Sequence, residues 1–258
     1  MTLFSQEYGS GHPLIILHGL LGSLDNWHTL STAFGRRFRV IAVDQRNHGR
    51  SPHSDEMTYG AMATDLLELL DRLALSSAFV LGHSMGGKTA MQFALDHPDR
   101  VGKLVVVDIA PRSYPPLHDK IFEALNDVDL SSMQSRQQID NALAARVSNP
   151  AVRQFLMKNL ARTESGRFKW KANVPVLKNS YNEIARAIDS EKPLQKPAAF
   201  VRSSRSGYVL DSDSGDIQRL FPDARILSIE AGHWIHAEAP ERFSEIVLNF
   251  LISGQPEE

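Results

Sequence analysis

Short apolar runs alternate with longer amphipathic stretches through the first hundred residues of the chain. The runs are rich in Val, Ile and Leu and read LIILHG (14–19), RVIAVDQ (39–45), AFVLGHS (78–84) and KLVVVDI (103–109). A strand that is covered on both faces carries apolar residues at consecutive positions rather than at every second one. These runs therefore predict buried strands of a parallel sheet.

The stretches between the runs predict helices. After Thr58, a good N-cap residue, apolar residues recur at spacings of three and four, and most charged residues fall on the other side. A second helical stretch begins after Ser84 and ends before Pro98. The apolar positions of the first helix are Tyr59, Met62, Leu66, Leu69, Leu70 and Leu73, and the charged ones are Asp65, Glu68, Asp71 and Arg72. Strands that alternate with such helices predict right-handed crossovers and a layered α/β fold.

The pattern changes between residues 111 and 191, where no buried-strand run occurs. Helical patterns fill this region as HDKIFEALNDV (118–128), SRQQIDNALAARV (135–147), PAVRQFLMKNLAR (150–162) and SYNEIARAIDS (180–190). Strand patterns return at PAAFVRSS (197–204) and ARILSIE (224–230), and APERFSEIVLNFLIS (239–253) predicts a final amphipathic helix. Because the sheet needs strands from both sides, we interpret residues 112–190 as a helical cap inserted into a single domain (1–258), whose core is 1–111 and 191–258.

Composition and charge exclude several classes of protein. The 258 residues carry a formal net charge of −2 with scattered Lys and Arg, so no basic stripe offers a surface for nucleic acid. No run of apolar residues is long enough to cross a bilayer, which argues against membrane insertion. The amino-terminal stretch lacks the pattern of a secretory signal and the chain has no cysteine, which favours the cytoplasm.

Ser84 is the candidate nucleophile. It lies in GHSMGG, directly after the apolar run AFVL and directly before a helical stretch. This context is typical of a nucleophile elbow, in which Gly82 and Gly86 allow a strained backbone and close packing. A glycine-rich turn with an incidental serine is the alternative, and the strand before and helix after the serine favour the nucleophile.

A reactive serine also needs donors for the oxyanion that its attack creates. His18 and Gly19 follow the first predicted strand, so this loop can bring the backbone amide of Leu20 beside that of Met85. We predict these two amides as the oxyanion hole, with Leu21 as the alternative to Leu20. The imidazole of His18 is interpreted as a structural partner of the loop rather than as a base.

His233 has the position expected of the general base. It lies in IEAGHWIHAEAP, after the last predicted strand and before the final helix. His236 follows three residues later, but no carboxylate or thiol grouping completes a metal site with it. We therefore predict no metal and interpret His48, His53 and His83 as structural or surface residues.

The acid that orients the base has more than one candidate. The turn after AAFVRSS contains no carboxylate until Asp211 and Asp213. Asp108 ends KLVVVD, the run that follows the one before the nucleophile, where the active edge of such a sheet lies. We favour Asp108, which would hold His233 in the required tautomer and stabilise its imidazolium form, and keep Asp211 and Asp213 as alternatives.

Five motifs together resemble the α/β-hydrolase superfamily, and most closely its small bacterial esterases of the YbfF type. They are HGLLGSLDNW, VIAVDQRNHGRSP, LGHSMGGKTAM, VVVDIAP and AGHWIHAEAP. The resemblance spans nearly the whole chain and is weakest in the helical block. It implies a mostly parallel eight-stranded sheet with a small helical cap after the sixth strand, no cofactor, and hydrolysis of carboxylic esters or acyl thioesters.

The resemblance assigns the nucleophile to Ser84 and the base to His233. Many members of the superfamily have their acid in the turn after strand seven, where this chain has SSRSGYV, and the aspartate of VVVDIAP is similar to the substitute found in YbfF-like esterases. That likeness supports Asp108. The stretch DQRNHGRS resembles the superfamily's DxRGxGxS loop, and its Asp44 and Arg46 are interpreted as packing and hydrogen-bonding residues.

The leading hypothesis is therefore a serine esterase that forms an acyl-enzyme with a small-molecule ester or thioester, as a monomer or homodimer. A cofactor-free haloperoxidase or a carbon–carbon bond hydrolase would use the same Ser84 and His233, and a non-catalytic receptor is the alternative from another class. Substrate choice would depend on the 112–190 region. Phe122, Phe155, Trp170 and Tyr181 are candidates for an acyl pocket, although core packing explains each of them more simply.

Overall fold

A computed structural model describes residues 1–253 of the chain. The strands are β1 (Ser5–Tyr8), β2 (Pro13–Leu17), β3 (Arg39–Val43), β4 (Ala78–His83), β5 (Val101–Val107), β6 (Leu160–Arg162), β7 (Phe168–Trp170), β8 (Ala198–Ser203) and β9 (Ala224–Ile229). The helices are α1 (His28–Phe34), α2 (Tyr59–Arg72), α3 (Met85–Asp96), α4 (Asp119–Asp127), α5 (Arg136–Ala144), α6 (Pro150–Met157), α7 (Val174–Asn179), α8 (Tyr181–Ala185), α9 (Ser214–Leu220), α10 (Ile235–Glu238) and α11 (Pro240–Ile252). Short 3₁₀ turns cover Leu24–Trp27, Pro98–Arg100 and Asp211–Asp213.

The central sheet has seven strands in the order β1-β3-β2-β4-β5-β8-β9. Strand β1 is antiparallel to β3, and every other pair in this sheet is parallel. Each of the six predicted buried runs is a strand of this sheet, so the mostly parallel α/β architecture is confirmed. Because the parallel strands end at one edge, the loops that follow them meet there.

Alternate side chains of the strands point to two apolar cores. On β2, Ile15 and Leu17 join the core formed with α2 and α3, whereas Leu14 and Ile16 join the core formed with α1 and α11. All four of these side chains are buried. Because both faces of the sheet are buried, the sequence of each strand is a continuous run of apolar residues.

Helix α2 begins and ends close to its predicted limits. The hydroxyl of Thr58 accepts a hydrogen bond from the Ala61 amide at 3.2 Å, as expected of an N-cap. Asp65 differs from the prediction, since it is buried rather than on the exposed side of the helix. Arg46 explains the difference, because its guanidinium pairs with both carboxylate oxygens of Asp65 at 2.6 and 2.9 Å.

The strand count differs from the resemblance, which implied eight strands where residues 1–253 form seven in the central sheet. Strand β1 is an edge of the sheet and begins at Ser5. Before it, the Leu3 carbonyl accepts from Arg72, the Phe4 amide donates to Ser51, and the Phe4 carbonyl accepts from the Asp44 amide at 3.0 Å.

The region between β5 and β8 is mainly helical, as predicted, but it also contains a hairpin. The pattern over 150–162 predicts one helix, whereas α6 ends at Met157 and residues 160–162 form β6, which pairs antiparallel with β7. The hairpin closes at Gly166, whose φ of +78° is costly for other residues. Helix α8 is also shorter than predicted, with five residues.

We call residues 112–190 the covering segment. The division into a core of 1–111 and 191–258 with an inserted cap stays a prediction, and residues 254–258 lie outside the described part of the chain. In residues 1–253, no helix combines the length and the apolar character needed to cross a membrane.

Candidate active site

Ser84 occupies a sharp turn between β4 and α3. Its φ of 53° and ψ of −120° lie in a region that side chains other than glycine rarely adopt. A Cβ atom added to Gly82 would lie 2.1 Å from the Gly86 carbonyl oxygen, and one added to Gly86 would lie 2.5 Å from that of His18. The two glycines are therefore needed for the turn to close against the β2 loop. Ser84 lines the cavity beside this turn.

His233 and Asp108 meet at the same edge of the sheet. His233 Nδ1 lies 2.8 Å from Asp108 Oδ2, and the Asp108 side chain is fully buried. The other carboxylate oxygen accepts a hydrogen bond from the Ser203 amide at 2.8 Å. Because the carboxylate accepts, Nδ1 carries the proton and Nε2 is left with a lone pair.

The loop that carries His233 is held from two sides. His83 Nε2 donates to the His233 carbonyl at 2.9 Å, and the Tyr208 ring stacks on the His233 ring with centroids 3.9 Å apart. Burial keeps the pKa of His83 well below its ordinary value, so this histidine is a neutral donor near pH 7. The backbone, one ring face and one ring nitrogen of His233 are all positioned.

The two alternative acids lie elsewhere. Asp211 is exposed and pairs with Arg202 Nη1 at 2.5 Å. Asp213 is buried, accepts from the Leu210 amide at 2.8 Å and pairs with Arg112 at 3.0 Å. Both carboxylates therefore have partners away from His233, whereas Asp108 contacts it directly.

The loop after β2 approaches the amino-terminal end of α3. Met85 is the first residue of α3, and the first amides of a helix have no acceptor within it. The Leu21 amide, the alternative oxyanion donor, donates to His48 Nε2 at 3.1 Å and is thus engaged. The Leu20 amide donates to no protein group within residues 1–253. Leu20 and Ser84 line the same cavities.

Two cavities meet at Ser84. The larger has a volume of about 220 Å³ and is bounded by His233, Trp234 and residues of the covering segment that include Ile121 and Phe155. The smaller has a volume of about 30 Å³ and is bounded by Met85, Lys88 and four tyrosines. These tyrosines are Tyr59, Tyr114, Tyr181 and Tyr208, of which Tyr208 also borders the larger cavity.

The comparisons with known proteins agree with this geometry. A model of the family described as alpha/beta hydrolase fold matches residues 12–240. The chain belongs to the α/β-hydrolase family. It is 38% identical to esterase YbfF of Escherichia coli, with 96% of both chains covered. It is also 40% identical to the sn-1-specific diacylglycerol lipase ABHD11 of Mus musculus, over 92% of this chain and 80% of that protein.

One solved structure that resembles this α/β hydrolase is also named as an esterase. A structure described as a marine microorganism esterase superposes with a TM-score of 0.95 and 43% identity, over 96% of this chain and 99% of that one. The predicted likeness to YbfF-type esterases is confirmed. The chain is a hydrolase that acts on ester bonds, which leaves the hypothesis of a non-catalytic receptor without support.

The hydrolase positions its β2 loop through two buried histidines. His18 Nε2 accepts from the Gln45 amide at 3.0 Å, and His18 Nδ1 lies 2.8 Å from the Gly19 carbonyl. His48 Nε2 accepts from the Leu21 amide, and its Nδ1 lies 2.9 Å from the Arg46 carbonyl. Each ring accepts on one nitrogen and donates from the other, which is the arrangement of a neutral imidazole. Burial accordingly lowers the pKa of His18 to about 4 and that of His48 to about 3.

Asp44 and Arg46 lie beneath this loop of the hydrolase. The Asp44 carboxylate accepts from the amides of Leu24 and Arg50 at 2.7 and 2.9 Å, while Arg46 pairs with Asp65. Burial raises the pKa of Asp44. Neither side chain lines the two cavities. Their contacts agree with the structural role expected from the sequence.

His236 packs rather than forming part of a metal cluster. Its ring stacks on Trp27 with centroids 4.4 Å apart, and burial lowers its pKa to about 3. Across residues 1–253, no group of three or more His, Cys, Asp or Glu side chains is arranged to hold a metal ion. His53 is exposed and lies 3.1 Å from the Lys171 carbonyl.

The aromatic residues proposed for an acyl pocket divide into two pairs. Phe155 lines the larger cavity and Tyr181 the smaller one. Phe122 is completely buried against Tyr181, with ring centroids 5.4 Å apart, and Trp170 donates to the Leu125 carbonyl at 3.2 Å. Core packing is therefore the role of Phe122 and Trp170.

Several residues of the site were not found by sequence reasoning. Ser203 supplies an amide to Asp108 and Tyr208 stacks on His233, while Lys88 binds three carbonyls at the ends of the covering segment. Lys88 could have been noticed because a lysine rarely lies on the buried face of a helix such as α3. A buried ammonium group needs hydrogen-bond acceptors. No comparable pattern marks Ser203 or Tyr208.

Proposed function

We propose that this hydrolase is a serine esterase in which Ser84 is the nucleophile, His233 the general base and acid, and Asp108 the residue that orients the base. The observation that carries the proposal is the 2.8 Å contact between His233 and buried Asp108, at a cavity that Ser84 enters from a positive-φ turn. A serine hydroxyl needs such an activated base to act as a nucleophile.

In the proposed reaction, His233 Nε2 removes the Ser84 proton as Oγ attacks the carbonyl carbon of the ester. The carbonyl electron pair moves onto its oxygen, and the amides of Leu20 and Met85 donate to that oxyanion. When the electron pair returns, the alcohol or thiol leaves and takes the proton from His233. Water then attacks the acyl-enzyme with the same roles, which releases the acid and restores Ser84.

The amino-terminal end of α3 supports the oxyanion site. This helix has twelve residues, its first amides point toward the turn at Ser84, and the aligned peptide dipoles favour negative charge there. The Leu20 amide is available because Leu21, not Leu20, is bound by His48. No metal or cofactor is required by any step.

The proposed substrate is a small, uncharged carboxylic ester or acyl thioester. The larger cavity is bounded mainly by apolar side chains, among them Leu21, Ile121, Val152 and Phe155. The mouse relative is named for action on diacylglycerol, which makes an acylglycerol one candidate. We propose that the covering segment serves as a cap that excludes water from the reacting atoms.

Replacement of Ser84 by Ala tests the proposal. The variant should lose turnover of p-nitrophenyl acetate and butyrate by about 10³-fold or more and should no longer react with a fluorophosphonate probe. Ser132→Ala is the matched control, because Ser132 is an exposed serine of the covering segment. Retained turnover or retained labelling in Ser84→Ala would contradict the nucleophile assignment.

A substrate panel separates the esterase from the other reactions that this fold supports. The wild-type protein is tested with carboxylic esters, acyl thioesters and β-diketones under the same conditions. Ester or thioester cleavage is the expected result. Cleavage of β-diketones without ester cleavage would favour a carbon–carbon bond hydrolase, and bromide oxidation by peroxide and acetate would favour a haloperoxidase.

A further inference from the structure

The two cavities at Ser84 differ in the residues that border them. His233 and Trp234 border the larger cavity and not the smaller one. Met85, whose amide is a proposed oxyanion donor, borders the smaller cavity and not the larger. Five residues border both cavities, namely Leu20, Ser84, Leu117, His118 and Tyr208. A substrate carbonyl bound at Ser84 would therefore extend one substituent into each cavity.

The chemistry decides which substituent enters which cavity. In the tetrahedral intermediate, the leaving oxygen must lie within hydrogen-bond reach of His233 Nε2, because it takes the proton from there. The leaving group therefore extends toward the cavity that His233 borders. The acyl chain is on the opposite side of the carbonyl carbon and has the smaller cavity available to it.

Four tyrosines border the smaller cavity, and the hydroxyls of three of them are bonded to groups of the protein. Tyr59 donates to the Ile184 carbonyl at 2.6 Å, and Tyr114 donates to the Tyr208 carbonyl at 2.6 Å. Tyr181 accepts from the Leu117 amide at 3.2 Å. These bonds hold the three rings in place and engage their hydroxyls, while Tyr208 borders both cavities and stacks on His233.

Lys88 is saturated in the same way. Its ammonium group donates to the carbonyls of Arg112, Ala185 and Arg186, at 2.9 and 3.2 Å for the first two. An ammonium group has three protons, so none is left to bind a carboxylate in the cavity. The positive charge of Lys88 is therefore not available to a carboxylate on the acyl group, which favours an uncharged acyl group.

The volume of the smaller cavity limits the length of the acyl chain. It measures about 30 Å³, and on the same scale a cavity needs about 10 to 15 Å³ to hold one water molecule. This space accommodates the methyl group of an acetyl ester and little more. The larger cavity, at about 220 Å³, accommodates a bulky apolar alcohol beside Ile121, Phe155 and Trp234.

We propose that this hydrolase is specific for esters that join an acetyl-sized, uncharged acyl group to a larger apolar alcohol, with the acyl group in the smaller cavity. The inference rests on the proposed Ser84 and His233 roles. The side chain of Ile184, which is buried in the wall of the smaller cavity, sets the limit on acyl length.

The test varies one side of the ester at a time. Values of kcat/KM are measured for p-nitrophenyl acetate, butyrate and octanoate, each divided by the spontaneous hydrolysis rate of that ester. The normalised value should fall by about tenfold or more from acetate to octanoate. In acetate esters of methanol, butanol and octanol, it should rise by about tenfold with the length of the alcohol.

Ile184→Ala should relax the limit, because it removes side-chain volume from the smaller cavity without changing the carbonyl that Tyr59 binds. The acetate-to-octanoate ratio should fall by about fivefold or more. Ile121→Ala is the matched control, since Ile121 borders only the larger cavity, and it should leave this ratio within about twofold. A ratio of two rates on one preparation does not depend on how much of the variant folds.

The outcomes distinguish the two proposals. If esters are cleaved and the normalised rate stays level or rises from acetate to octanoate, the acyl-size inference is wrong while the esterase proposal stands. A ratio that Ile121→Ala changes more than Ile184→Ala would also overturn the cavity assignment. If neither series is cleaved and no fluorophosphonate label forms, the esterase proposal itself fails.

Discussion

The reacting groups and the groups that surround the substrate space are held in different ways. The backbone at Ser84 and Asp108 is bonded to neighbouring strands: the Ser84 amide donates to the Val107 carbonyl at 3.0 Å, and the Asp108 amide donates to the Val201 carbonyl at 2.9 Å. Both residues have positive φ angles at the ends of adjacent strands. Backbone hydrogen bonds to the neighbouring strands of the sheet therefore fix the positions of both residues.

The covering segment is joined to the core mainly through side chains, together with two backbone bonds, from the Asn173 amide to the Asn47 carbonyl at 2.9 Å and from the Ile188 amide to the Pro111 carbonyl at 2.7 Å. Lys88 binds carbonyls at both of its ends, Asn159 donates to the Leu21 carbonyl, and Asn173 donates to the Asn47 side chain at 3.1 Å. Side-chain contacts can change one at a time without disturbing the sheet. We therefore expect substitutions in the covering segment to alter the choice of substrate more than the reaction itself.

The largest expected effect on activity comes from replacing Asp108, whose backbone is held by the sheet. Asp108→Asn keeps the size of the side chain and an oxygen for the Ser203 amide, but it removes the charge that faces His233 Nδ1. We expect kcat for p-nitrophenyl acetate to fall by about 10³- to 10⁴-fold, because the base loses its required tautomer and the stabilisation of its imidazolium form.

Asp211→Asn is the control for this substitution, since Asp211 is exposed and pairs with Arg202. It should retain kcat within about twofold, as surface ion pairs contribute little. Steady-state kinetics at pH 7.5 and circular dichroism of both variants provide the comparison. Full activity in Asp108→Asn would exclude Asp108 as the orienting acid.

The features that could be predicted from the sequence are those that depend on local sequence and burial. Burial on both faces produces continuous apolar runs, so the six parallel strands were found, and Gly82 and Gly86 mark the turn at Ser84. Asp108 was predicted because it ends the run that follows the one before the nucleophile, at the edge of the sheet where the active site is expected, and its role as the orienting acid stays a prediction. These features depend on the local sequence and on its burial.

Features that depend on distant partners were not found. Strand β1 reads SQEY and is partly exposed, and it is a strand because it pairs with β3. Asp65 was placed on a polar face, yet it is buried because Arg46 reaches it from a loop nineteen residues away in sequence. Tyr208 stacks on His233, which lies 25 positions later in the sequence. The local pattern of apolar and polar residues does not predict such contacts.

Acid should break the connection between the β2 loop and the core. The pKa values of His18 and His48 are about 4 and about 3 in the folded protein, below the ordinary value of 6.5. The unfolded chain therefore binds more protons between pH 6.5 and 4, so the free energy of unfolding falls as the pH falls through this window. At pH 4, each histidine should lower the free energy of unfolding by about 3 kcal/mol relative to its value at neutral pH.

His48→Gln sharpens this prediction, because the glutamine amide can accept from the Leu21 amide and donate to the Arg46 carbonyl without titrating. Urea unfolding between pH 7.5 and 4.5 should show a smaller loss of stability in the variant than in the wild type. His28→Gln, at an exposed position, should leave the pH dependence unchanged. Identical slopes in His48→Gln and the wild type would contradict a neutral, buried His48.

The smallest expected effect on activity comes from loosening the covering segment at Lys88. Lys88→Met keeps an unbranched side chain of similar length but leaves the carbonyls of Arg112, Ala185 and Arg186 without their donor. We expect stability to fall by about 1 to 3 kcal/mol and kcat/KM by about tenfold, because the segment no longer closes firmly over Ser84.

Lys103 offers a matched control on the other side of the sheet. It is also buried, and its ammonium group donates to the carbonyls of Phe250, Leu251 and Ser253 at 2.9, 2.9 and 2.5 Å. Lys103→Met should therefore lose a similar amount of stability, about 1 to 3 kcal/mol, while kcat/KM stays unchanged. Equal losses of activity in the two variants would mean that Lys88 acts only on stability. A loss of kcat/KM in Lys88→Met but not in Lys103→Met would show that the contacts at the ends of the covering segment affect catalysis at Ser84.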